Sequence, residues 1–168
     1  LTNVKITGNQ VSGQTGGTTA GIILHNANPN MTNVTISGNT DNWFNSSQPG
    51  AIYGTGSEGD NPTLVNCILW DNSPPGVYLD NGSFTATYSN IQGGWEGEGN
   101  IDEDPLFVDA ENGDYHLSNS SPSIGVGTLD GAPDTDLDGN PRPNPEGSNP
   151  DMGAYENSLG APLGINDG

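Results

Sequence analysis

The stretch from Pro133 to Pro143, PDTDLDGNPRP, sets Asp134, Asp136 and Asp138 at alternate positions, followed by Gly139 and by Arg142, one of only two basic residues in the chain. Side-chain oxygens at the first, third and fifth positions, a glycine at the sixth and the Asn140 carbonyl at the seventh match the opening half of an EF-hand-type calcium loop. Calcium is a hard cation that favours clustered oxygens, so the chemistry suits it. The closing half departs, because Pro145 stands where a bidentate glutamate is wanted and Pro141 and Pro143 prevent a following helix. Completion of a calcium site would fall to Glu146, Asp151 or Glu156. The metal-free alternative has the aspartates forming turns with their own backbone while Arg142 pairs with a carboxylate such as Asp151 or Glu156. Both readings stand on the sequence. Asp102, Glu103 and Asp104 form a second acidic cluster, read as solvated surface.

Other chemistry finds less support. A lyase acting by β-elimination needs a base and positive charge for the substrate carboxylate, and Lys5 and Arg142, the only basic side chains, lie far apart in sequence. A glycosidase needs two carboxylates facing one groove, yet the outward strand positions carry Lys5, Thr7, Thr35, Ser37, Ile68, Trp70, Asn90 and Gln92. His25 and His116 adjoin no nucleophile elbow, and His25 reads as a surface residue at a strand end. Ice binding would need a repeated threonine array, which the outward pairs do not form. Tyr53 and Tyr78 stack in one outward column with Ile23, and with His116 as a continuation. That column is a carbohydrate-contact candidate unless the loop from Thr40 to Gln48 covers it or it serves as cross-coil packing. Trp70 also faces outward, where Trp95 or its glycine-rich loop would fold over it.

The elements that must position these residues come from a repeat. TNVKITGN from Thr2 is echoed by TNVTISGN from Thr32, and more loosely by VNCILWDN from Val65 and YSNIQGG from Tyr88, at spacings of 30, 33 and 23 residues. Val4, Val34, Cys67 and Ser89 fall at one position and Ile6, Ile36, Leu69 and Ile91 two further on, the alternation of a strand with one inward apolar face. A second strand follows each corner. There Ile22, Ile52 and Val77 align inward, and Leu24, Gly54 and Leu79 align inward again. Asn9, Asn39 and Asn72 close the first three strands and predict a ladder of stacked amides at one corner. Units too small to bury their own faces gain a core by stacking. The expected fold is all-β, a right-handed parallel β-helix of about four coils with an irregular C-terminal cap. Residues 1–92 are the coils, 93–156 the cap with the acidic loop, and 157–168 a linker or tail.

The composition limits the partners. With 21 acidic residues against 2 basic, the net charge is −19 and the isoelectric point about 4.1. Nucleic acid is excluded, because phosphate binding needs lysine and arginine, and anionic membranes or glycans are repelled. Neutral sugars and cations suit such a surface. No apolar run reaches the length of a membrane span, so no membrane insertion is expected. The single cysteine, Cys67, forms no intramolecular disulfide and is expected inside. The chain begins within a repeat and without an initiator methionine, which reads as a piece of a longer protein with further coils N-terminal to it.

The run YSNIQGGWEGEGNIDEDPLFVDAENGDYHLSNSSPSIGVG, followed by DTDLDGNPR and DMGAYE, resembles the C-terminal part of bacterial right-handed parallel β-helix repeat proteins. These are surface or secreted chains often carrying a choice-of-anchor domain, and they share the pectate-lyase-like superfold. The resemblance covers about Leu64 to Glu156. It implies the fold, the cap and an extracellular or cell-surface setting, but no single activity. Gly125 stands where an aspartate would be expected, which would remove one polar contact of the cap.

Three functions follow as expectations. The first is a non-catalytic module of a secreted or surface-anchored protein that adheres to a surface protein or a neutral polysaccharide, its cap stabilised by calcium if the loop binds it. The second is the C-terminal portion of a polysaccharide lyase or glycoside hydrolase whose groove lies upstream. The third is a structural spacer or fibre subunit.

Overall fold

The computed structural model describes residues 1–11, 21–41 and 50–164. The strands run in chain order as β1 (Thr2–Thr7), β2 (Gln10–Val11), β3 (Ile22–Leu24), β4 (Asn30–Ser37), β5 (Thr40–Asp41), β6 (Ile52–Gly54), β7 (Thr63–Val65), β8 (Ile68–Trp70), β9 (Val77–Leu79), β10 (Thr85–Thr87), β11 (Asn90–Ile91), β12 (Phe107–Asp109) and β13 (Asp114–Leu117). A 3-10 turn at Ala110–Asn112 separates the last two, and no α-helix occurs among the described residues. The molecule is all-β.

Three parallel sheets carry the repeat. In the largest, β1 pairs with β4, which pairs with β7 along its first half and with β8 along its second; β10 and β11 extend these to the far edge. Its register aligns Val4 with Val34, and Ile6 with Ile36, Leu69 and Ile91. The second sheet, β3-β6-β9, aligns Ile22, Ile52 and Val77, then Ile23, Tyr53 and Tyr78, then Leu24, Gly54 and Leu79. The short pair β2-β5 forms the third. Side chains from the two larger sheets meet in one core built on Met31, Val34, Ile36, Ile52, Leu64, Cys67 and Leu69.

Asparagines shape the corners. Asn9 Nδ2 donates to Asn39 Oδ1 at 2.9 Å, and Asn39 Nδ2 donates to Asn72 Oδ1 at 2.9 Å, so the expected ladder is present. A second ladder runs from Asn28 through Asn61 to Ser83. At an earlier bend Asn3, Asn33, Asn66 and Tyr88 all hold φ near +50°, a region that asparagine tolerates better than most residues. The fourth repeat places a tyrosine there, held by Tyr88 N–H to Glu98 O and by its hydroxyl to Glu98 Oε1.

Cys67 lies fully buried in the core, and burial pushes its thiol up to about 12. It should therefore resist thiol reagents in native buffer and react at once in denaturant. Rapid native labelling would place the strand register off by one and turn every inward residue out.

The C-terminal segment does two jobs where the sequence suggested one. Residues 97–101 protect the last edge: Tyr88 and Ile91 N–H donate to the carbonyls of Glu98 and Ile101, and Ile101 N–H donates to Ser89 O. The rest lies across the outer face of the main sheet. Thr35, Ser37, Ile68 and Asn90, at the positions read as outward, are at most 1% exposed. Ile68 packs with Leu117, Ile124 and Met152 in a second core, Ala154 N–H donates to Thr35 Oγ1, and Asn33 Nδ2 donates to the Asp151 and Gly153 carbonyls. Gly153 has no room for a Cβ, which would fall 2.8 Å from both Ile68 Cδ1 and Thr35 Oγ1.

The cap also runs past Glu156. Asn157 Nδ2 donates to Leu117 O, Leu159 joins the second core and Leu163 N–H donates to Asn119 O, so residues 157–163 are pinned and not a free tail. Gly125 has φ +65°, and a Cβ there would meet Gly160 O at 2.2 Å. The expected aspartate is excluded by this close approach, and the Gly125 N–H instead donates to Asp151 Oδ1 at 2.7 Å.

Candidate functional site

The three aspartates of the quoted run do three different things. Asp134 is exposed, and its carbonyl accepts from Arg142 N–H at 2.9 Å. Asp136 is buried, and its carboxylate accepts from the backbone N–H groups of Asp138, Asn140 and Glu156 and from Asn140 Nδ2, at 2.8 to 3.1 Å. A carboxylate offers about four such acceptor positions, so this one is filled. Burial opposes its charge, but these donors outweigh burial and hold Asp136 below the usual carboxylate value. Asp138 turns to His116, whose Nε2 lies 2.9 Å from its Oδ2. The Asn140 carbonyl, offered as a calcium ligand by the sequence, accepts from Asp136 N–H.

The four candidate ligands thus do not converge, and no group of three or more His, Cys, Asp or Glu side chains is arranged to hold a metal ion among the described residues. The melting temperature should respond to millimolar calcium no more than to magnesium at equal ionic strength. A calcium-specific rise, abolished by Asp134→Asn, would show instead that the loop rearranges into a cation site.

Behind the loop lies a buried charged cluster. Arg142 donates to the Asp151 carbonyl at 3.1 Å and the Gly153 carbonyl at 3.2 Å, and its Nε sits 3.4 Å from Glu156 Oε2 without an aligned hydrogen bond. Of the two partners offered by the sequence, Glu156 faces the guanidinium by its side chain and Asp151 by its backbone. The Asp151 carboxylate accepts from the N–H groups of Gly125 and Asn157 at 2.7 and 2.6 Å. Burial, then the charge of Glu156, pushes Asp151 up to about 7 against those two donors. Burial also raises Glu156, with Arg142 opposing, and burial lowers Arg142 against its carboxylate neighbours.

His116 lies in this cap and not in the Tyr53–Tyr78 column. Its Nδ1 is 2.6 Å from Asp114 Oδ1, and its ring lies on Tyr155 with centroids 4.0 Å apart. Burial disfavours its charge, but Asp114 and Asp138 outweigh burial and raise its pKa. The signal was local: Asp114 and His116 stand two apart on one strand, hence on one face.

Tyr53 and Tyr78 do meet, with ring centroids 5.8 Å apart and planes tilted by 38°. Tyr78 and Ile23 are about half exposed, and burial, then the Asp80 carboxylate, raises the Tyr53 hydroxyl. The loop suggested as a cover falls mostly outside the described residues. Trp95 stacks on Phe84 at 4.7 Å, while Trp70 packs against the second core. His25 Nδ1 meets Thr55 Oγ1 at the end of β3. Lys5 reaches the Gly113 carbonyl and lies over the rings of Tyr115 and Tyr155 at 5.6 and 5.5 Å.

No family model, no curated protein and no solved structure matches this chain.

Proposed function

We propose that the chain is a non-catalytic module of a secreted or surface-anchored right-handed parallel β-helix, and that it contacts neutral polysaccharide through Tyr53 and Tyr78. The observation that carries this reading is the tyrosine pair itself. It is held in register from β6 to β9, with the Tyr78 ring about half exposed. Pyranose rings present apolar faces that suit such aromatic surfaces. The coil-to-coil registers and the end protection by residues 97–101 favour a helical winding of the strands. Further coils would stack on β1, β2 and β3, which each pair on one side only among the described residues.

The buried charges of the cap serve attachment of the C-terminal segment to the sheet face, as the burial of Thr35 and Ile68 beneath it supports. Affinity electrophoresis through gels containing neutral polysaccharides tests the reading. At least one gel should retard the wild type and not Tyr53→Ala/Tyr78→Ala. Equal mobility of the two proteins in every gel would overturn the tyrosine contact.

A further inference from the structure

A cleft of about 640 Å³ opens between the corner of the main sheet and the cap. Gly8, Ser37 and Gly38 form its sheet side, Trp70, Phe107 and Tyr115 supply aromatic walls, and Asp71, Asp104 and Glu111 also line it. Its size is that of an ordinary small-ligand site. Phe107 and Tyr115 lock edge to face at 5.1 Å, and a Cβ at Gly38 would come within 3.1 Å of the Tyr115 hydroxyl, so the walls are set before a ligand arrives.

The charged side chains that line the cleft are all acidic. Asp71, Asp104 and Glu111 are all exposed, and none makes an ion pair among the described residues. One oxygen of Asp104 accepts from Leu106 N–H, while Asp71 and Glu111 make no side-chain hydrogen bond there. The same aromatic wall already takes an ammonium group, since Lys5 Nζ lies over the Tyr115 ring. Aromatic side chains and carboxylates lining one cleft select a ligand with apolar surface and positive charge.

We infer that this cleft binds an amine-bearing saccharide, a protonated amino sugar within an oligosaccharide. The sugar ring lies against the aromatic walls and its ammonium faces Asp71, Asp104 and Glu111. This site is separate from the tyrosine pair and stands or falls without it.

Titration calorimetry at mildly acidic pH, with a β-linked glucosamine oligomer, its fully N-acetylated form and spermidine as probes, tests the inference. The unacetylated oligomer should bind, and the acetylated oligomer and spermidine should each bind at least about tenfold more weakly. Asp71→Asn/Asp104→Asn/Glu111→Gln should weaken the glucosamine oligomer by about tenfold, at roughly half a kcal/mol per exposed pair. These changes keep the Asp104 turn acceptor and the left-handed backbone of residue 71, so the fold should persist, as circular dichroism can verify. Glu58→Gln/Asp130→Asn, which removes exposed charge elsewhere, should leave binding unchanged. Equal binding of the acetylated oligomer or of spermidine would overturn the inference. So would equal weakening by the remote variant, which would mean attraction to net charge alone, or no binding of the glucosamine oligomer.

Discussion

Asp136→Ala is expected to lower stability by about 3 to 5 kcal/mol and to release the C-terminal segment from the sheet face. The carboxylate it removes accepts from the backbone of Asp138, Asn140 and Glu156 and from the Asn140 side chain. Alanine leaves those donors unpaired, the Glu156 amide in a buried place and the others partly buried, at about 1 to 3 kcal/mol for each one that water cannot reach. The bond to Glu156 N–H matters most, because it ties the loop to the strip that covers Thr35 and Ile68. Urea unfolding measures the loss, and hydrogen exchange at Glu156, Ala154 and Met152 reports release of the segment. Amides in β4, secured by partners on both sides, should keep most of their protection. Asp136→Asn keeps one acceptor oxygen and should lose roughly half as much. A loss under about 1 kcal/mol would mean that the hub is dispensable.

Arg142→Met is expected to cost about 3 to 5 kcal/mol near neutral pH and to recover much of that on acidification. It removes the guanidinium from among Asp136, Asp151 and Glu156, all buried, and leaves their charges uncompensated. The pH dependence follows from the folded-state shifts. Asp151 and Glu156 are raised, so their contribution is greatest below the ordinary carboxylate value of 3.8 to 4.5 and declines as pH rises, levelling for Asp151 above about 7. His116 is raised as well, so its contribution is present below 6.5 and is lost as pH rises through its folded value. Asp136 and Asp114 are lowered, and their contribution is lost as pH falls from 3.8 through their folded values. Wild-type stability should therefore peak in mild acid and fall towards neutrality. Without Arg142 only backbone donors favour the ionised forms of Asp151 and Glu156, so the fall should steepen. A Met variant as stable as the wild type, or one whose loss does not change with pH, would contradict the account of this cluster.

Registers were legible in the sequence because they repeat. Ile22, Ile52 and Val77, or Asn9, Asn39 and Asn72, announce equivalent places by type and spacing, and the strands align them. What escaped a local reading was set by contacts between distant segments. Ile68 and Trp70 at outward positions were the sign that something covers that face, but nothing in the coil says which later residues do so. The aspartate run was ambiguous for the same reason. Its local pattern serves a cation loop and a turn hub equally well, and the donor that distinguishes them, Glu156 N–H, comes from 20 residues further on. Asn3, Asn33 and Asn66 were visible as a repeated letter, though not as the left-handed bend they make, because the strand pattern continues through them.

Under the proposed function, polysaccharide is held without being cut, and both events can be followed in one sample. The purified protein is incubated with a panel of neutral and amine-bearing polysaccharides, while bound protein is measured by sedimentation and polymer length by chromatography with reducing-end assay. Retention on at least one polymer, with its length distribution unchanged over prolonged incubation, is the predicted result. Reproducible shortening of any polymer, or no retention on all of them, would contradict it.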